Sequence, residues 1–306
     1  LSRYMVLPNY TNNFLRHGFD EGDLGDGGSD RLVDGLIACG DLDTIAARIG
    51  EHHDCHDLLA PDAGRRADDG DLAHDRVPAQ DAPSVQMLRS KGAIILGKTQ
   101  TTQFAFRDPA PTRNPWNVEH TPGGSSSGSA AAVAAPMVPF PLGSQTLGSV
   151  LRPAAYNGVV GYKGTHGLVP ADGVIPLAWS LDHVGIFARS VFDVALTLGV
   201  ISGTEIIPPA VSGPRIALAP ELVGRADAWV AASVADAARA FAKAGATVSE
   251  VTLPASFARI HEAGQLVLDI EAATYHREAF LRHGADYGTH IGAGIKAGLA
   301  RPATAY

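Results

Sequence analysis

The chain has 306 residues, enough for one large domain or two smaller ones at about 150 residues each. Hydrophobic residues make up 45% and charged residues 18%, a balance that excludes disorder, collagen and coiled coil. A net charge of −8 disfavours nucleic acid and anionic membranes as partners, and no apolar run reaches the roughly 18 residues needed to cross a bilayer. Two cysteines, Cys39 and Cys55, are too few for a disulfide scaffold, so the expected setting is a reducing cytoplasm.

Residues 1–80 show no sustained period of a helix or a strand. Asp20, Glu21, Asp23, Asp26 and Asp30 lie among glycines without the alternation and closing glutamate of a calcium loop, and read as a solvated acidic stretch. His52-His53-Asp54-Cys55-His56-Asp57 is rich in ligand types, but adjacent side chains cannot all converge on one ion, and no metal is expected. Order begins at Asp81. Val85 and Leu88 predict a helix over 82–91, and Ala93-Ile94-Ile95-Leu96 a short buried strand closed by Gly97.

The tract Gly123-Gly124-Ser125-Ser126-Ser127-Gly128 leads into Ala130 to Ala135, whose small side chains predict a tightly packed, buried helix. Farther on, a strand over 215–219, an alanine-rich helix over 227–244 and a strand over 246–253 form a βαβ unit, which argues for a largely parallel sheet. Pro208, Pro209, Gly213 and Pro214 mark residues 206–214 as the internal linker, and no repeat is evident.

Two serine motifs carry possible chemistry. Gly124, Ser126 and Gly128 match a nucleophile elbow, but an elbow must follow a strand, and Pro115 to Pro122 is turn-rich. The second motif runs from Gly143-Ser144-Gln145-Thr146-Leu147-Gly148-Ser149 to Arg152-Pro153. The tract 122–132, then Gly148-Ser149 with Arg152-Pro153-Ala154, then Gly158-Val159-Val160-Gly161-Tyr162-Lys163, together resemble the core of the amidase signature family. Gly97-Lys98-Thr99, Gly173-Val174-Ile175-Pro176 and Ser180-Leu181-Asp182-His183-Val184-Gly185 extend the resemblance.

That resemblance implies an α/β fold with a large mixed sheet covered by helices on both faces. Residues 1–80 would be a divergent N-terminal part, and 81–306 the core, shortened at its C-terminal end. It implies hydrolysis of a small carboxamide to carboxylate and ammonia, without cofactor or metal, by a Ser-Ser-Lys relay. Ser149 would be the nucleophile, Ser125 the bridging serine after a cis peptide, and the amides of Gln145, Thr146, Leu147 and Gly148 the oxyanion hole. Leu147 stands where the family usually has glycine.

The triad lysine aligns with His56, a residue that is already a base near neutral pH, whereas Lys98 belongs to a later, structural segment. Arg152 resembles the malonamidase-like branch, in which an arginine recognises a substrate carboxylate; the other reading is a brace on loop carbonyls. His166 and His183, near Asp172 and Asp182, read as loop packing rather than as a Ser-His-Asp set. The alternatives are a catalytically inactive homologue and an amidotransferase A-subunit-like protein. Expected partners are a small-molecule amide and, as an assembly, a homodimer.

Overall fold

The computed structural model describes residues 80–206 and 212–306. His56, both cysteines, the acidic stretch and the histidine-rich run lie outside the described residues. The described residues form two compact units: one takes residues 80–206 together with Leu266–Tyr306, the other the described residues between them. One boundary therefore falls at the start of the proline-rich segment read as a linker.

The first unit begins with α1 (Pro83–Ser90), started by a proline in its first turn, where a missing N–H costs nothing. After a 3₁₀ turn at Gln103–Ala105 come α2 (Ser127–Ala134), β1 (Leu142–Gln145), α3 (Leu151–Asn157), β2 (Val160–Lys163), β3 (His183–Ala188) and α4 (Val191–Ser202). Every residue of α2 except Gly128 is buried, as its alanines and serines predict. Helix α4 opens on Ser190, whose hydroxyl accepts from the Asp193 N–H, and closes at Gly203 in the left-handed conformation.

Among the described residues the sheet of this unit has three strands, antiparallel and in the order β1-β3-β2. Strand β3 is central, and Val184, Gly185, Ile186, Phe187 and Ala188 are all buried, as in a strand covered on both faces. One face carries Val184, Ile186 and Ala188 against Leu88 of α1 and Val194, Leu198 and Ile201 of α4. The other carries Phe187 against Ala130 and Val133 of α2 and Val150 and Ala154 beside and within α3. A Cβ on Gly185 would lie 2.6 Å from Val150 Cγ2 and 2.8 Å from the Tyr162 carbonyl oxygen, so only glycine lets α3 sit this close.

A further core joins Leu268, Ala272 and Ala273 of α7 (Ile260–His283) with Ile291 and Ile295 of α8 (Thr289–Leu299), and takes in Ala105, Phe106, Leu177 and Ala178. The Asp108 carboxylate accepts from the His290 and Ile291 N–H groups, satisfying two donors of the first turn of α8. The second unit holds β4 (Arg215–Leu218), α5 (Pro220–Val223), α6 (Ala228–Lys243) and β5 (Thr247–Glu250), with β4 and β5 parallel. The βαβ reading of the sequence is thus present, but the parallel arrangement does not extend to the larger described sheet.

Ala93-Ile94-Ile95-Leu96 is not a strand: no ladder partner lies beside it among the described residues, and Ile94 is 83% exposed. An apolar run supplies side chains for a buried strand, but it cannot supply the neighbouring backbone that makes one. Among the described residues no helix is long and apolar enough to cross a membrane, and no group of three or more His, Cys, Asp or Glu could hold a metal ion.

Candidate active site

Two loops meet beneath the N-terminal ends of α2 and α3. The first, Gly123 to Ser126, is held from several sides. Gly123 has φ 77°, and a Cβ there would lie 2.9 Å from Pro153 Cα, so glycine is required both for the conformation and for the approach. The Gly124–Ser125 peptide is cis. The Ser125 carbonyl accepts from the Thr102 N–H at 3.0 Å, and Asn157 Nδ2 donates to the Pro122 carbonyl at 2.7 Å.

Arg152 donates from Nε and Nη2 to the Gly124 carbonyl, at 3.0 and 2.7 Å. The guanidinium therefore braces the loop, which is the second of its two sequence readings. Ser126 is also fully engaged: its hydroxyl donates to the Ser144 carbonyl at 3.1 Å and accepts from the Ser144 N–H at 3.2 Å. A serine hydroxyl spent between a loop and β1 is a poor nucleophile, and no strand precedes it among the described residues, so the elbow pattern has no structural counterpart.

Ser125 differs from its neighbour. Its side chain is wholly buried, yet Oγ has no hydrogen-bond partner among the described residues. Buried hydroxyls are nearly always paired, so this one is a group awaiting a partner. The second loop meets the first at the following residue: the Ser126 N–H donates to the Ser149 carbonyl at 3.3 Å. The two loops therefore touch at Ser126 and Ser149, one residue along from Ser125, and among the described residues no hydrogen bond joins the Ser125 and Ser149 hydroxyls.

Between β1 and α3 the chain turns sharply, and the N–H groups of Thr146, Leu147, Gly148 and Ser149 have no acceptor among the described residues. A set of unspent N–H donors next to a serine is what a developing oxyanion needs. Gln145 is placed differently from its neighbours. It lies in the ladder opposite His183, and alternation from the Phe187 N–H to Pro141 carbonyl bond makes that pair a hydrogen-bonded one, with the Gln145 N–H facing β3. Its contribution is the side chain, whose Oε1 accepts from the Val150 and Leu151 N–H groups at 2.8 and 2.9 Å. The Ser149 N–H and this side-chain cap were not legible in the motif.

In sequence Asp182 stands next to His183, but the two side chains are not paired. Its Oδ1 instead accepts from the Thr146 hydroxyl, and Oδ2 from the Leu177 and Ala178 N–H groups at 2.8 and 2.9 Å. Burial pushes its carboxyl above the ordinary value, against the lowering effect of those three donors, and the nearby Glu271 charge adds to the rise. His183 Nδ1 lies 2.7 Å from the Leu181 carbonyl, and its ring packs edge-on against His166, consistent with loop packing. Lys98 is exposed, while Thr99 of the same segment bonds through its hydroxyl to Ser129 at 2.6 Å.

Comparison with known proteins identifies the family. The Amidase family model matches residues 71–295. The glutamyl-tRNA(Gln) amidotransferase A-subunit of Exiguobacterium sibiricum is 42% identical over 203 residues, covering 59% of this chain and 42% of the relative. Its namesake from Symbiobacterium thermophilum is 43% identical over 199 residues, covering 58% and 41%. The chain thus spans about two fifths of the length of these curated relatives. Among solved structures, an amidase superposes with a TM-score of 0.70 at 31% identity, covering 74% of this chain and 53% of its own. The native peptide amidase of Stenotrophomonas maltophilia gives 0.59 at 32%, covering 74% and 57%. With the family model covering most of the chain and both serine loops inside the match, this protein belongs to the amidase signature family.

Proposed function

We propose that this chain hydrolyses a small carboxamide through Ser149 and Ser125. Ser149 Oγ attacks the carbonyl carbon, its proton passes to Ser125 Oγ, and the Ser125 proton passes to a base, for which His56 is the proposed residue. The oxygen that gains charge is held by the N–H groups of the 146–149 turn. When the C–N bond breaks, the leaving nitrogen takes a proton back through Ser125 and departs as ammonia. Water then attacks the Ser149 ester by the same relay run in reverse and releases the carboxylate. Arg152 keeps the Gly124 carbonyl, and with it the Ser125 loop, in place.

The observation that carries this reading is the buried Ser125 hydroxyl, without a hydrogen-bond partner among the described residues, in the loop whose next residue, Ser126, bonds through its N–H to the Ser149 carbonyl. A second reading is favoured by the names of the curated relatives: an A-subunit-like role in an amidotransferase, beside a partner protein. The chemistry at Ser149 is shared by the two. Release of ammonia from a panel of small carboxamides by the isolated chain supports the first, and activity that appears only with a partner supports the second.

In the same assay Ser149→Ala falls to background, and His56→Lys raises the rate by about 10²–10⁴-fold if histidine is the weaker base at that position. Hydrolysis that survives Ser149→Ala contradicts both readings. Hydrolysis indifferent to His56→Ala moves the base elsewhere, Lys98 being the next candidate.

A further inference from the structure

The 146–149 turn is secured unevenly. Its second half is tied down: the Gly148 carbonyl accepts from the Arg152 N–H at 2.9 Å, and the Ser149 carbonyl accepts from the Ser126 N–H. Its first half has no such bond among the described residues. The Thr146 and Leu147 N–H groups are unspent there, and the Leu147 side chain is 57% exposed, so packing does not hold it. What remains is the bond from the Thr146 hydroxyl to Asp182 Oδ1.

Asp182 is itself fixed without help from the turn. The next residue, His183, is locked into the ladder opposite Gln145. On the other side Oδ2 holds the Leu177 and Ala178 N–H groups, and both of those residues are buried in the core formed with α7 and α8. The loop is anchored once more at Ser180, whose N–H and hydroxyl donate to the buried Glu271 carboxylate at 2.9 and 2.6 Å. A carboxylate held by sheet and core, reaching out to the tethered atom of an otherwise loose half-turn, sets where that half-turn points.

We propose that Asp182 is a positioning residue which, through the Thr146 hydroxyl, aims the Thr146 and Leu147 N–H groups at the reacting oxygen. The inference rests on the amide-hydrolysis reading of that turn. Both carboxylate oxygens act as acceptors, for three donors in all, so an amide at this position must turn its NH₂ toward at least one donor. Thr146→Val removes the tether alone and leaves the Leu177 and Ala178 bonds intact, which keeps the test valid should Asp182→Asn fail to fold.

Steady-state kinetics on the full chain, with the best small carboxamide, and amide ¹H–¹⁵N spectra of the same proteins test it together. Thr146→Val and Asp182→Asn each lower kcat by about tenfold or more with little change in KM, since the lost contact matters in the transition state. Thr146→Ser, which keeps a hydroxyl, loses less than Thr146→Val, and the double variant is no worse than its worse parent because both changes cut one link. The Leu147 and Gly148 resonances move in Thr146→Val and less in Thr146→Ser. Losses that multiply in the double variant, a change confined to KM, or unmoved Leu147 and Gly148 resonances overturn the proposal. Should the wild-type chain hydrolyse nothing, the function reading fails on that result, while the resonances still decide whether Asp182 sets the turn.

Discussion

Arg152 and Ser126 are the residues a motif reader would assign to substrate and to catalysis, and both bond to backbone groups. The Arg152 guanidinium sends two N–H donors to one carbonyl, a fork that lysine cannot reproduce with a single ammonium. Arg152→Lys is therefore expected to slow neutral and carboxylate-bearing amides alike, by loosening the Ser125 loop. Measuring kcat/KM for a matched pair of such amides checks this; a loss confined to the carboxylate-bearing one would instead assign Arg152 to substrate recognition. The bonding of Asp182 was hidden from the sequence for a related reason. Its partners lie at 146 and 177–178, and nothing in the spacing of Ser180-Leu181-Asp182-His183 announces them.

At the level of elements, the alanine-rich helix α2 and the helix α1 were legible because small-residue content and apolar spacing are local properties. The sheet that supports the site was not. Strands β1 and β2 read Leu-Gly-Ser-Gln and Val-Gly-Tyr-Lys, too short and too glycine-rich to alternate, and their partner β3 lies far along the chain. The glycines that weaken the pattern are what allow the packing. Gly185→Ala places a methyl group against Val150 and the Tyr162 carbonyl, so it is expected to cost about 1–3 kcal/mol. Chemical denaturation compared with wild type measures that cost, and an unchanged midpoint would show that α3 can retreat from β3 without penalty.

Across the whole molecule, the family and the two serine loops could be read from Gly123 to Lys163, where backbone demands for small residues and turn geometry leave a dense local signature. Stability has a determinant that the sequence does not reveal. His276 of α7 is buried among Phe104, Tyr275 and Tyr287, and burial pushes its pKa down to about 4, against a raising effect from the Pro176 backbone. A folded-state pKa below the unfolded value near 6.5 means that the unfolded chain binds the proton more tightly. This contribution is thus fully present above pH 6.5 and is lost as pH falls toward 4, by roughly 2 kcal/mol at pH 5. Melting curves at pH 7.5 and 5 should show a larger drop for wild type than for His276→Gln, and equal drops would contradict the assignment.

Ser149, not Ser126, is the residue proposed to react, with Ser125 in the adjoining loop. The most direct measurement is treatment of the intact chain with a serine-directed fluorophosphonate, followed by peptide mapping of the adduct by mass spectrometry. One phosphonylated residue is expected, Ser149, with labelling abolished in Ser149→Ala and retained in Ser126→Ala. An adduct on Ser126, with Ser149 dispensable, would contradict this assignment.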